Sequence, residues 1–208
     1  MVDDRVLLDA GAPLLPHMHK LGIDPCAIEA IFLTHFHGDH TLGLPPFVLY
    51  RIFNHATTLT ILGPDGIEDR LEALWKVSWG GDWDRVMRAQ FKVRYRTARP
   101  SGSAAGLRYQ SIKLDHGSSG SWGYRLHVDG RILAYSGDTE DTAPLERLVK
   151  GADVAIIEAT APGEVFSHMS WEAAGALKKR HPDTRFLFNH VYTGTMRGAV
   201  RDLQVIEA

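Results

Sequence analysis

Three histidines and one aspartate lie within six residues, in the stretch HFHGDH at positions 35–40. They follow the apolar run 31–34, which predicts a short buried strand. Side chains alternate along a strand, so His35 and His37 are expected to project to the same side, and the glycine permits a turn toward the following Asp-His pair. Imidazole and carboxylate groups in this arrangement predict a pocket for one or two cations, with a run of surface histidines as the alternative.

Three further candidate ligands each follow a predicted strand. His116, Asp138 and His190 stand where an apolar run gives way to a loop. Taken singly, each has a simpler explanation, as a hydrogen-bonded histidine or a turn residue. In open α/β folds, catalytic and binding residues lie at the ends of adjacent strands. Because all three candidates follow a predicted strand, one shared site is favoured.

The elements that must position these residues alternate along the chain. Apolar runs bounded by Gly, Pro or Asp predict strands, amphipathic segments predict helices, and Asp129-Gly130 predicts a hairpin. The pattern predicts an α/β fold in a single domain over 1–208, with sheets covered by helices. Strands are predicted at 5–8, 31–34, 59–62, 91–96, 109–114, 123–128, 131–135, 154–157 and 184–188, and helices at 14–21, 45–53, 65–79, 84–90, 143–149 and 170–180.

Composition narrows the class of protein. The chain of 208 residues is 44% hydrophobic and 23% charged, with a formal net charge of −2, which gives no global electrostatic reason to bind nucleic acid or an anionic membrane. A basic segment at 85–99 could form a phosphate-attracting rim, although a solvated face is the expectation. Cys26 is the one cysteine, so no intramolecular disulfide is possible. The sequence shows neither a membrane-spanning run nor a signal peptide, and a cytoplasmic protein is predicted.

The order of these motifs resembles the metallo-β-lactamase superfamily, and within it the ribonuclease Z-like branch. An HxHxDH motif is followed by a lone histidine, an SGDT-type aspartate and a final strand-end histidine. The likeness extends over essentially the whole chain through LLDAG at 7–11, Gly43-Leu44, YSGDT at 135–139, ADVAIIEAT at 152–160 and SHMS at 167–170.

The resemblance implies a four-layer αβ/βα sandwich with a binuclear metal site where its two sheets meet. The first metal would have ligands from His35, His37 and His116. The second would be held by Asp39, His40 and His190, with Asp138 bridging both. Zinc is the expected occupant, with manganese and iron as alternatives.

Such a site would hydrolyse esters. Two cations can share a hydroxide of near-neutral pKa and polarise the scissile ester, and Asp39 could orient that nucleophile. His168 resembles the histidine of the branch's HST-type motif and could contact a phosphate or protonate the leaving oxygen. Glu158 resembles the glutamate of the EAT-type motif and could orient His168. Structurally, Glu158 could instead pair near a strand end and His168 could simply be exposed.

Two departures from the branch shape the functional hypothesis. Relatives normally carry further strands before the segment 5–9, so the sheet is predicted to lack its first strands and to expose an edge, which predicts a homodimer or a markedly unstable chain. Transfer-RNA-processing members carry a long arm between the equivalents of His116 and Asp138, whereas only 21 residues (117–137) lie between them here. Transfer-RNA processing is therefore not expected.

The hypothesis is a metal-dependent hydrolase that prefers a small phosphodiester. One alternative is hydrolysis of a lactone, thioester or other carboxylic ester, for which aromatic residues in Trp75–Trp83 could line an acyl pocket, although core packing is expected of them. A second alternative is a catalytically impaired metal-binding protein. Cleavage of single-stranded RNA is not favoured and would require the segment 85–99 to lie beside the metals.

Overall fold

The computed structural model describes residues 1–56 and 58–192. The chain divides into two compact units, Met1–Ala98 and Arg99–Ala208. The predicted single domain over 1–208 stays a prediction, because this division does not test whether either unit folds alone.

The first unit contains a four-stranded parallel sheet in the order β1-β2-β3-β4. Its first three strands are short and largely buried, which explains their apolar sequences. The strands are β1 (Val6–Leu8), β2 (Ala30–Phe32), β3 (Thr58–Gly63) and β4 (Lys92–Thr97). The α-helices are α1 (Leu14–Lys20), α2 (Gly38–Thr41), α3 (Leu44–Phe53), α4 (Ile67–Trp79) and α5 (Arg88–Gln90), with a 3₁₀ turn at Pro25–Ala27 and a π-helical turn at Trp83–Met87.

The second unit contains a six-stranded mixed sheet in the order β10-β9-β8-β7-β6-β5. The pairs β5–β6, β6–β7 and β7–β8 are antiparallel, whereas the pairs β8–β9 and β9–β10 are parallel. The strands are β5 (Ser101–Ala104), β6 (Leu107–Leu114), β7 (Ser121–Val128), β8 (Arg131–Tyr135), β9 (Val154–Glu158) and β10 (Arg185–Asn189). Two helices, α6 (Ala143–Val149) and α7 (Trp171–Arg180), contribute Leu145, Leu148 and Leu177 to the core beside Phe186 and Phe188.

Local sequence signals account for several element boundaries. Asp129 and Gly130 both have positive φ, 48° and 79°, as a two-residue hairpin turn between β7 and β8 requires. Ser170 caps α7, because its side chain accepts a hydrogen bond from the Ala173 N–H. Among the described residues, no helix is long and apolar enough to cross a lipid bilayer.

The short helix α2 forms where the sequence predicts a turn, and it carries Asp39 and His40. Two further elements differ from the sequence prediction. The segment 84–90, expected as one helix, is a π-helical turn followed by the short α5. Strand β5 was not predicted, because Ser101–Ala104 has low strand propensity; it forms through its antiparallel pairing with β6. Neither difference moves a candidate ligand.

Candidate metal centre

The first unit brings together three of the predicted ligand histidines. The ring centroid of His35 lies 4.5 Å from that of His37 and 4.2 Å from that of His40. His35 follows β2 and His40 lies on α2, so the turn at Gly38 folds the motif back on itself. His35 and His40 are buried, whereas His37 and Asp39 are exposed. The turn therefore brings the imidazoles of His37 and His40 close to that of His35.

A buried carboxylate orients two of these imidazoles. Asp9, directly after β1, accepts a hydrogen bond from Nδ1 of His40 at 2.8 Å. It also accepts from the Thr34 hydroxyl at 2.9 Å, which leaves the hydroxyl oxygen to accept from Nδ1 of His35 at 3.0 Å. Both histidines are therefore protonated on Nδ1, and Nε2 is the candidate metal-binding nitrogen of each.

The second unit gathers the strand-end candidates around Asp138. The carboxylate oxygen Oδ2 of Asp138 lies 3.8 Å from Nε2 of His116 and 3.4 Å from Nε2 of His190. Nδ1 of His116 donates to the backbone carbonyl of Ser167 at 2.7 Å. His116 and Asp138 are buried, while His190 is partly exposed. Nε2 is again the nitrogen that faces the predicted bridging ligand.

A second buried carboxylate repeats the arrangement around Asp9. Glu158 at the end of β9 is fully buried, and both of its oxygens lie 3.2 Å from Nδ1 of His168. It also accepts a hydrogen bond from the Thr160 hydroxyl, whose oxygen lies 3.1 Å from Nδ1 of His190. In each unit, one carboxylate thus orients one histidine directly and a second through a threonine hydroxyl. The predicted contact between Glu158 and His168 is present.

The donor set fits a divalent transition metal. Nδ1 of four ligand histidines is engaged by a hydroxyl, carboxylate or carbonyl, as in metal sites where an outer group fixes the tautomer. Glu158, His168 and His190 also offer ligand atoms within 4.8 Å of one another. The backbone is strained at three site positions, since Asp9, Ser167 and His190 have φ of 58°, 63° and 56°. These features indicate a site held in place by its surroundings.

Four residues with a supporting role were missed by the sequence analysis. Asp9 and Thr160 lie inside motifs that carried the resemblance, but no role followed for them. Thr34 and Ser167 each stand next to a candidate residue. Each also makes a contact with a residue 25 to 51 positions away in the sequence, which local patterns could not reveal. For Asp9, its position directly after the predicted strand 5–8 was the available signal.

Comparison with known proteins defines the class. The sequence profile of the beta-lactamase superfamily domain matches residues 4–191. The chain therefore belongs to the metallo-β-lactamase superfamily, as its motifs predict. The metallo-beta-lactamase fold protein YhfI from Bacillus subtilis superposes with a TM-score of 0.75 at 18% identity, covering 93% of this chain and 77% of that one. That likeness shows the fold, and the predicted α/β class is confirmed.

Sequence relatives show to which branch of the superfamily the chain is most similar. A ribonuclease Z from Pyrobaculum neutrophilum is 34% identical over 188 residues, which cover 77% of this chain but 64% of the relative, so this chain spans just under two thirds of that relative's length. A ribonuclease Z from Limosilactobacillus fermentum is 29% identical over 256 residues, covering 95% of this chain and 83% of the relative. The predicted ribonuclease Z-like branch is confirmed. Because the second alignment is longer than the 208-residue chain, that relative has internal residues that this chain lacks.

Proposed function

We propose that this chain is a metal-dependent phosphodiesterase that uses two divalent metals and prefers small substrates. The observation that carries the proposal is the repeated orientation of imidazoles, three from proposed ligands and one from His168. In both units a buried carboxylate, Asp9 or Glu158, fixes Nδ1 of a histidine directly and that of another through a threonine. Such outer contacts are what metal-ligating histidines require.

The proposed ligand sets follow the superfamily motifs. His35, His37 and His116 are assigned to one metal, and Asp39, His40 and His190 to the other, with Asp138 shared. Nitrogen and carboxylate donors favour zinc, and manganese or iron would also accept this set. When bound, such a metal pair supplies Lewis acidity and a water activated near neutral pH.

His168 is proposed as the group that protonates the leaving oxygen or contacts the phosphate. Its Nδ1 is held by Glu158, so Nε2 is the atom available to hold a proton for transfer or to contact a phosphate oxygen. The side chain is 20% exposed, which allows a substrate to reach it. Glu158 is fully buried and acts as the positioning residue, because its two oxygens are occupied by Thr139 N–H, Thr160 and His168.

Two observations support a small substrate rather than transfer RNA. Only the segment 117–137 separates His116 from Asp138, and it contains β7, the hairpin turn and β8. The alignment with the Limosilactobacillus relative requires internal residues that are absent here. The net charge of −2 adds no general attraction to RNA, so RNA remains the less favoured phosphodiester.

The alternative of carboxylic-ester hydrolysis relied on tryptophans in Trp75–Trp83 as the lining of an acyl pocket. Trp75 and Trp83 are buried, with 0% and 1% exposure, and their ring centroids lie 5.4 Å apart. Their indole N–H groups donate to Tyr95 and Glu72. These two tryptophans therefore pack inside the first unit rather than line an acyl pocket.

The other alternative is a metal-binding protein without catalysis. Such a protein would bind metal but would not turn over any activated ester.

Hydrolysis of bis(p-nitrophenyl) phosphate by zinc-reconstituted protein tests the proposal. Asp39→Ala removes a proposed ligand that is exposed, so it should abolish turnover without unfolding the chain. Asp183→Ala changes another exposed aspartate and should leave turnover unchanged. Absence of turnover in metal-loaded wild type, or equal rates in wild type and Asp39→Ala, would refute the phosphodiesterase.

A further inference from the structure

Two exposed aromatic side chains flank the histidines of the second unit. Among its described residues, the large hydrophobic side chains that are exposed are Phe166 at 90% and Tyr192 at 64%. Phe166 lies two residues before His168, and Tyr192 lies two residues after His190. The rings of these two histidines stack at 5.3 Å with an interplanar angle of 17°. The loops that carry the aromatic residues therefore meet at the site.

Both aromatic residues lie in segments that contact the site. The ring of Phe166 comes within 3.6 Å of the place where a Cβ on Gly117, the residue after His116, would stand. Phe166 precedes Ser167, whose carbonyl accepts from Nδ1 of His116. The backbone N–H of Tyr192 donates to the carbonyl of Thr160 at 3.1 Å. The ring of Tyr192 lies edge-on to that of His190, with centroids 4.7 Å apart. Exposed aromatic surface held this close to candidate ligands indicates a contact made with the substrate.

We propose that the substrate is a phosphodiester with a planar aromatic group, such as a nucleobase, on the ester arm that is not cleaved. This group packs against Phe166 and Tyr192 while the phosphate lies at the metal centre. The proposal rests on the phosphodiesterase function above and names its substrate class. Stacking of a base on one aromatic side chain commonly changes affinity about five- to 150-fold, which is enough to set a preference.

A matched pair of diesters tests the preference in turnover. Phenyl p-nitrophenyl phosphate and ethyl p-nitrophenyl phosphate share the p-nitrophenolate leaving group and differ in the retained arm. Phe166→Ala and Tyr192→Ala should each lower the phenyl-to-ethyl ratio of kcat/KM at least about fivefold. Tyr192→Phe keeps the ring and should keep the ratio. Phe53→Ala, which removes a 74% exposed ring from the first unit, should also leave it unchanged.

Equilibrium binding separates this inference from the proposed function. Calorimetry on zinc-loaded protein compares phenyl phosphate with ethyl phosphate, and wild type should bind the phenyl compound at least about fivefold more tightly, with the preference lost in both alanine variants. If wild type shows that preference but no turnover, the proposed phosphodiesterase activity is refuted and the proposed aromatic site is supported. Equal binding of the two compounds by wild type, or a preference that survives both substitutions, would overturn the aromatic site while leaving turnover intact.

Discussion

At the residue scale, the site depends on which nitrogen of each imidazole carries the proton. Asp9 can only accept a hydrogen bond, so Nδ1 of His40 must donate to it. The Thr34 hydroxyl donates its proton to Asp9, so its oxygen can only accept from Nδ1 of His35. A ligand histidine so fixed loses little freedom on metal binding. The sequence supplies the ligands, whereas the tautomers come from contacts between distant strand ends.

His168 should matter most for substrates with poor leaving groups. His168→Asn removes the group proposed to protonate the leaving oxygen, and we expect this to reduce kcat about 100-fold or more for a phenolate leaving group. The loss should be much smaller for p-nitrophenolate, which departs without protonation. Initial rates on diphenyl and bis(p-nitrophenyl) phosphate give the comparison.

His181→Asn is the control for this effect, since His181 pairs with Glu146 away from the candidate residues. Glu158→Gln should show the same leaving-group pattern more weakly, because it disturbs His168 through its position. Equal losses for both substrates would indicate that His168 binds the phosphate and does not act as the acid.

At the element scale, the candidate site residues lie in loops that follow strands. Asp138 follows β8 and His190 follows β10, and their strand-end position in the sequence made both candidates, whereas Asp9, which follows β1, was missed. The periodicity also predicted helix α6 at its observed bounds. It could not predict β5, whose Ser-Gly-Ser-Ala sequence forms a strand only beside β6, nor the contact of Ser167 with His116. Both depend on residues distant in sequence.

The loop after β6 should tolerate a side chain at one glycine and not at another. Gly117 and Gly120 both have positive φ, 50° and 59°, so alanine at either costs about 1–2 kcal/mol of stability. A Cβ at Gly117 would in addition overlap the Oγ of Ser167, whereas at Gly120 it meets open space. Gly117→Ala should therefore lower the free energy of unfolding by more than Gly120→Ala in urea titrations.

Removing the Ser167 side chain tests the cause of that difference. The double variant Gly117→Ala, Ser167→Gly should recover the extra loss, because the overlap disappears and glycine suits the φ of 63° at position 167. Equal destabilisation by Gly117→Ala and Gly120→Ala would contradict the close packing of Gly117 against Ser167.

Tyr95 couples the first unit's stability to alkaline pH. Burial and a hydrogen bond to Glu72 raise the pKa of Tyr95 well above its usual value near 10. The folded state therefore keeps a proton that the unfolded state loses near pH 10, so this stabilisation is present below that pH and is lost as the pH rises. The free energy of unfolding of wild type should fall between about pH 9 and 11 more steeply than that of Tyr95→Phe. Parallel pH profiles in urea unfolding would contradict the assignment.

At the scale of the whole molecule, family membership follows from the order of motifs along the chain. The superfamily profile spans 4–191 and so includes both units. What the motifs do not encode is the substrate, because one metal constellation serves many reactions on this fold. Features outside the motifs, such as Phe166 and Tyr192, carry that information.

We retain the homodimer as a prediction for the whole chain. Strand β1 is at an edge of the described sheet, although Val2 pairs with the outward N–H and carbonyl of Val6. Most of the exposed large apolar side chains are in the first unit, at Leu21, Leu42, Phe53, Val77 and Val86. Light scattering coupled to size exclusion should give twice the 23.1 kDa of one chain. A stable species at the mass of one chain would disprove the dimer.

We propose two bound metals per chain, and the metal content of the purified chain tests this proposal most directly. Elemental analysis after zinc reconstitution should give two ions per chain in wild type. His35→Ala in the first unit and His190→Ala in the second should each lower that value, while His17→Ala should not. Fewer than two ions in wild type, or two ions retained in either ligand variant, would contradict the account.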